Sequence, residues 1–173
     1  AVMEASSQAL DQLRLWGLRF EVGVFMNLTQ DHLDYHKTFE NYFAAKKSLF
    51  AQVEHMVVNL DDAYGRRLLE EVSGPDRLTF SVRDDAADYT ARNIRLSASG
   101  VQFEMVGRGF IRRVRFPMPG DYSVENALAA AAAAIALGIP AQAAAEALTA
   151  SRGVRGRCEV LYHGAFIVLC DYA

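Results

Sequence analysis

Short apolar runs at Ala1-Val2-Met3, Val22-Gly23-Val24-Phe25-Met26 and Met56-Val57-Val58-Asn59-Leu60 are continuous rather than alternating, which predicts strands buried on both faces. Each gives way to polar residues and then to a helical pattern. Ser6 to Leu18 places Leu10, Leu13 and Trp16 at helix-like offsets, Phe39 to Phe50 is amphipathic, and Asp62 to Val72 opens on acids suited to a helix N-terminus. Strands alternating with helices predict a mostly parallel α/β sheet.

After Ser73-Gly74-Pro75 the period changes. Alternating segments at Arg92 to Leu96, Val101 to Met105 and Ile111 to Phe116, with turns at Ser99-Gly100 and Gly107-Arg108-Gly109, predict a small antiparallel meander attached to the sheet. Pro119-Gly120 ends it, Ser123 suits an N-cap, and an alanine-rich helix runs to Leu137. A second helix follows Pro140 and runs to Thr149. Arg152-Gly153-Val154-Arg155-Gly156 is the linker candidate, dividing a domain at 1–151 from the first strands of another at 152–173.

Composition adds exclusions. The chain has 51% hydrophobic residues, enough for one substantial core, and its 18 Lys and Arg against 21 Asp and Glu leave a net charge of −3. That balance argues against bulk binding to nucleic acid or an anionic membrane. The local patch of Arg108, Arg112, Arg113 and Arg115 reads as a solvated strand face rather than a base-stacking surface. Cys158 and Cys170 lack zinc-knuckle or disulfide-framework spacing, which suits a reducing compartment. The longest apolar run, Ala127 to Leu137, is shorter than the ~20 residues of a membrane span. The chain begins without Met inside a predicted strand and stops just after an apolar run and Asp171, so both ends read as cut from something larger.

In open parallel sheets, ligands gather at the carboxyl ends of the strands. Glu4, Asn27 with the Thr29-Gln30-Asp31-His32 loop, and Asn59 with Asp61 and Asp62 fall there. Glu4 and His32 with a further carboxylate would suit a hard divalent ion, and a helix cap with a loop histidine fits the same residues. On the helix from Phe39, the positions of Phe39, Tyr42, Phe43, Leu49 and Phe50 share one arc with Lys46 near its middle. A desolvated lysine loses preference for its charged form and becomes a nucleophile toward carbon dioxide, whereas a snorkelling lysine would reach the helix end. Ser6, Ser7, Gln12 and Arg14 suit an anionic or sugar-bearing ligand, or an ordinary cap with a solvated face. His36, His55 and His163 have no partners at ligand spacing, and no G-x-x-x-x-G-K-[ST] loop occurs in the chain.

The ordered series Val2-Met3-Glu4-Ala5-Ser6-Ser7-Gln8-Ala9-Leu10, Asn27-Leu28-Thr29-Gln30-Asp31-His32-Leu33-Asp34-Tyr35-His36, Tyr42-Phe43-Ala44-Ala45-Lys46, Asn59-Leu60-Asp61-Asp62-Ala63-Tyr64-Gly65, Gly153-Val154-Arg155-Gly156-Arg157-Cys158-Glu159 and Asp171-Tyr172-Ala173 resembles the Mur ligases. Within that family it resembles most the branch adding the third amino acid of the peptidoglycan stem peptide. The resemblance implies a cytoplasmic, ATP-dependent amide ligase with a P-loop NTPase-like central domain, joining UDP-muramoyl-dipeptide and a free amino acid through an acyl phosphate, with Mg2+ as cofactor. It implies a carbamylated Lys46, metal ligation by Glu4, His32 and Lys46, and sugar-peptide contacts by Ser6, Gln12 and Arg14. Asn126 matches an adenine contact, and Arg157 and Asp171 match nucleotide contacts.

The sequence departs from that pattern at Gln8, where the family often has His, and at Ser123, where an Asn usually precedes Asn126. Without the glycine-rich loop, the chain alone is expected not to catalyse ligation. Two other readings stand beside this one. Another ligase of the same fold, such as folylpolyglutamate synthase or a lipid II amidotransferase subunit, is opposed by the Asp31-to-His36 run and by the cysteine count respectively. A non-catalytic nucleotide-binding module on the same scaffold is the other.

Overall fold

A computed structural model describes residues 1–30 and 32–172 of the chain. The expectations for Asp31 and Ala173, and for the side chain of His163, fall outside what is described. The residues pack as two compact units, Ala1–Thr79 and Phe80–Ala173.

In the first unit, Ala1 to Glu4 is not a strand. These residues are extended coil and exposed, with Val2 fully so and Met3 at 52%. A buried strand needs ladder partners on its backbone, and here none is formed. The helix expected over Ser6 to Leu18 is also shorter, a single turn α1 (Ser7–Asp11) with Ser6 as N-cap. Leu13 takes a left-handed backbone with φ +57° and Gly17 follows at φ +84°, so the chain turns back before a second helical turn. The buried pair is Leu10 and Leu15, while Leu13 and Trp16 face water.

β1 (Phe20–Phe25) runs into a loop and the one-turn helix α2 (Leu33–His36), then α3 (Phe39–Ser48), a 3-10 turn at Leu49–Gln52, and β2 (Val53–Asn59). β1 and β2 pair in parallel, from Phe20 opposite Val53 to Phe25 opposite Val58. α3 starts where Thr38 Oγ1 accepts the Asn41 N–H at 3.2 Å, and it ends on Lys46 and Lys47, cations that suit the negative end of the helix dipole. Its inner face supplies Tyr42 and Phe43 to a core completed by Phe25, Leu28, Phe50, Met56, Val58 and Leu68. Burying each of the large side chains contributes about 1.5–3 kcal/mol.

α4 (Ala63–Glu71) carries Leu68 into that core. Lys47 and Arg67 both pair with Glu71, Arg67 Nη1 also reaches Glu40 at 2.8 Å, and the Arg67 guanidinium lies 4.5 Å from the Phe43 ring centroid. A hydrogen bond from Arg67 holds Glu40 below the usual carboxylate range, and bonds from Lys47 and then Arg67 do the same for Glu71. A depressed folded-state value stabilises the fold above the unfolded value, here 4.5, and that stabilisation is lost as pH falls through the folded value. The pairs are exposed, so solvent screening keeps the effect small. Arg67→Met keeps the contact with Phe43 but removes the charge. Its urea midpoint is expected to lie below that of the parent protein at pH 7 and to converge on it by pH 3; a gap independent of pH would show that the ion pairs contribute nothing.

The second unit begins with the end of β3 (Asp76–Ser81), a strand not among those expected from the sequence. Phe80 and Ser81 pair in parallel with Tyr89 and Thr90 of β4 (Tyr89–Ser97). β4, β5 (Gly100–Gly107) and β6 (Phe110–Phe116) form the expected antiparallel meander, with a register shift between Arg92 and Arg95 where Asn93 adopts φ +52°. α5 (Tyr122–Ala136) packs on the meander and buries Val124, Ala127, Leu128 and Ala131, and α6 (Ala141–Ala150) packs on β6. The N-cap of α5 is Asp121 rather than Ser123. Ser123 lies inside the first turn, fully buried, and donates to the Pro119 carbonyl at 2.8 Å. β7 (Glu159–His163) and β8 (Ile167–Cys170) form a separate antiparallel hairpin. Parallel pairing in β1–β2 and β3–β4, flanking helices and an antiparallel meander make this an α/β fold. Among the described residues, no helix is long and apolar enough to cross a membrane.

Candidate functional site

The carboxyl ends of β1 and β2 are held together by side chains that cap backbone groups. Asp62 accepts the Tyr64 N–H at 2.8 Å and the Gly65 N–H at 3.3 Å through Oδ1, starting α4, while its Oδ2 accepts the Leu28 N–H at 3.2 Å. Buried Asn59 accepts the Asp61 N–H at 2.9 Å. The Asp61-Asp62 pair therefore opens a helix, as the sequence suggests, and it fixes the loop that follows β1.

That loop presents the Asn27 carbonyl to Lys46, whose Nζ donates to it at 2.8 Å. Lys46 is half-buried, with its ammonium 5.0 Å from the Tyr42 ring centroid and 5.8 Å from that of Phe25. The amine thus sits at the sheet rim against two aromatic faces that favour a cation. Phe39, assigned by periodicity to the same buried arc, is 37% exposed and stacks on Tyr64 instead. His32 caps α2 with a left-handed backbone, and its ring meets the edge of Tyr42 at 6.1 Å. Lys46 and His32 therefore converge on one tyrosine. Glu4 is exposed in the N-terminal coil.

Ser6 accepts the Ala9 N–H at 3.2 Å, so its hydroxyl caps α1. Gln12 donates to the Tyr35 hydroxyl at 3.2 Å, and that hydroxyl donates to Asp11 at 2.8 Å. Arg14 is exposed, and its guanidinium makes no hydrogen bond or ion pair among the described residues. Ser6, Gln12 and Arg14 thus share one short helix and the turn after it. The sequence suggests no role for His36 and groups Ser7 with Ser6 as a ligand contact or cap; both are buried and share a 2.9 Å hydrogen bond.

In the second unit the hairpin unites two of the three nucleotide candidates. Asp171 Oδ1 accepts the Tyr172 N–H at 2.9 Å and the Cys158 N–H at 3.4 Å, and Arg157 Nη1 donates to the Tyr172 carbonyl at 3.0 Å. The Arg157 guanidinium lies 5.8 Å from the Tyr172 ring centroid. Asn126 is exposed on α5 and bonds to neither. One turn before it, however, the Tyr122 hydroxyl contacts the Cys158 sulfur. That hydrogen bond, with burial and the nearby acids, pushes the Tyr122 phenol up to about 12. Tyr122 went unnoticed in the sequence; an aromatic four positions before Asn126 on one helix face was the available signal.

Residues 1–134 match the Mur ligase middle domain. The chain is 41% identical over 175 residues to a UDP-N-acetylmuramoyl-L-alanyl-D-glutamate–2,6-diaminopimelate ligase of Clostridium acetobutylicum, covering 99% of this chain and 36% of that protein. The enzyme of the same name from Nostoc is 43% identical over 162 residues, covering 91% of this chain and 32% of its own length. A solved structure of such a ligase superposes with a TM-score of 0.88 at 35% identity, over 98% of this chain and 36% of that one. MurF from Acinetobacter baumannii shares the fold at a TM-score of 0.79 and 22% identity, over 87% of this chain and 33% of its own. The chain spans about a third of the length of the relatives it matches, and it belongs to the Mur ligase family.

Proposed function

We propose that this chain is the central part of an ATP-dependent amide ligase that adds diaminopimelate to UDP-N-acetylmuramoyl-L-alanyl-D-glutamate, working in the cytoplasm. The observation that carries the reading is the convergence of Lys46 and His32 on Tyr42, at the rim of a parallel sheet, in a chain 41% identical to a ligase of that name.

Among the described residues, no trio of His, Cys, Asp and Glu side chains is grouped to hold a metal. A carbamate on Lys46 adds an oxygen donor outside that set. Forming it joins the neutral amine nitrogen to the carbon of carbon dioxide and releases a proton to solvent. With Glu4 and His32 as the further ligands that the resemblance implies, it would offer the carboxylate-type oxygens that suit Mg2+, with the imidazole as the softer donor. Held there, Mg2+ would supply positive charge to a phosphoryl group moving to the substrate carboxylate. The protein's own residues position the reactants. Ser6, Gln12 and Arg14 hold the sugar-peptide beside α1, Arg14 supplying a guanidinium for an anionic group. Asn126, Arg157 and Asp171 hold ATP, and residues 152–173 open the next domain.

The test is incubation of the full-length protein with ATP, Mg2+, the UDP-muramoyl-dipeptide and either diaminopimelate or lysine. Expected is one ADP and one phosphate per tripeptide product, with diaminopimelate as the acceptor. ATP turnover without an amide product would overturn the reading, and lysine as the preferred acceptor would overturn its substrate. Arg14→Ala is expected to raise KM for the nucleotide-sugar peptide about tenfold, the cost of one charge-assisted hydrogen bond, and to leave KM for ATP within twofold. Equal effects on both would remove Arg14 from the sugar-peptide site.

A further inference from the structure

His36 is a buried imidazole that the ligase chemistry above leaves unused. It is 4% exposed, and its Nε2 shares the 2.9 Å hydrogen bond with the Oγ of Ser7, itself 3% exposed. Its ring lies flat on Tyr42, with centroids 5.0 Å apart and planes at 8°, and it meets Tyr35 edge-to-face at 4.8 Å. Tyr42 is the same ring that Lys46 and His32 approach. A continuous path of contacts therefore runs from Ser7 through His36 and Tyr42 to Lys46.

An apolar pair of similar volume would hold α1 against α2 equally well, but it would fix no orientation. A buried hydrogen bond is directional, and losing either partner leaves the other polar group unsatisfied. Ser7 opens α1 directly after Ser6 and three residues after Glu4. We propose that His36 is a positioning residue. Through Ser7 and Tyr42 it sets the place of the first turn of α1, with the sugar-peptide contact Ser6, relative to the Lys46 amine. The substrate carboxylate and the carbamate end are thereby held in register. This inference rests on the ligase reading above.

Four variants of the full-length protein test it, three of them breaking the bond. His36→Phe keeps a flat ring on Tyr42 and loses the hydrogen bond, Ser7→Ala removes the same bond from the other side, and the third variant combines them. Each single change is expected to lower kcat by about tenfold or more, as loss of an orienting partner does, with KM for ATP within twofold. The double variant is expected to be no worse than the weaker single one, because both remove one bond. His36→Gln, which can bond Ser7 again, is expected to recover part of the loss. Losses that multiply in the double variant, or no loss of kcat, overturn the proposal. Amide hydrogen exchange of the same proteins gives a readout without turnover. The Leu10 N–H, bonded to the Ser6 carbonyl at 3.1 Å, is expected to exchange about tenfold faster in His36→Phe while α3 amides keep the parent rate. Unchanged exchange at Leu10 overturns the proposal. If the parent protein makes no amide product, the ligase reading fails by itself, and exchange alone decides whether His36 fixes α1.

Discussion

Replacing Lys46 by alanine is expected to lower kcat for amide formation by at least ~100-fold, the scale on which one preorganised group that stabilises transferring charge acts. Two roles for this side chain are compatible with its place at the sheet rim. As an ammonium it would act by its positive charge, which the Asn27 carbonyl and the Tyr42 face already favour. As a carbamate it would act by negative oxygens. Lys46→Arg separates the two, because a guanidinium keeps the cation but does not hold carbon dioxide as a stable carbamate. The carbamate role predicts that Arg is as damaging as Ala, that short-chain carboxylates restore part of the activity of Lys46→Ala, and that 13C-labelled bicarbonate gives a carbamate signal absent from both variants. Activity near that of the parent protein in Lys46→Arg would assign the side chain to its positive form. Full activity in Lys46→Ala would remove it from the chemistry.

What the sequence revealed of this site followed from local physics. Continuous apolar runs marked β1 and β2, cap-type acids marked α4, and the spacing of aromatics marked the buried face of α3 with Lys46 upon it. These features depend on neighbours within one or two turns, so they are written into short segments. The elements that escaped depend on distant partners. Val2 and Met3 are apolar enough for a buried strand, yet no ladder forms on them. The helix over Ser6 to Leu18 had a fair period, but the left-handed turn at Leu13 is a backbone choice that a leucine does not advertise. β3 alternates apolar Leu78 and Phe80 with polar Thr79 and Ser81, so its period is legible in the sequence, whereas its pairing with β4 is not. The hydrogen bond of His36 with Ser7 spans 29 positions, and no spacing rule reaches that far. Motif resemblance supplied roles for Glu4, His32 and Lys46, whereas the structure supplied the tyrosine on which two of them meet.

The second large effect concerns the fold beneath the site. Gly65→Ala is expected to destabilise the protein by about 2 kcal/mol even though alanine is the better helix former. Gly65 sits in the first turn of α4, where a helical alanine would gain about 1 kcal/mol over glycine. A Cβ there would lie 2.1 Å from the Asn59 carbonyl oxygen, with the Val58 side chain at 3.2 Å. The first of these atoms is backbone at the end of β2, in a core where Val58 is fully buried, so it has little room to retreat. Relief requires α4 to move away from the strand, which pulls on Asp62 and through it on the Leu28 N–H and the loop before His32. The overpacking cost therefore exceeds the gain in propensity. Urea unfolding measures the outcome, with Glu70→Ala on the exposed face of the same helix as the control, expected within about 0.5 kcal/mol of the parent protein. A stabilised Gly65→Ala would mean that α4 stands farther from β2 than the Gly65 contact requires, and the bracing of the Asn27 loop by Asp62 would fall with it.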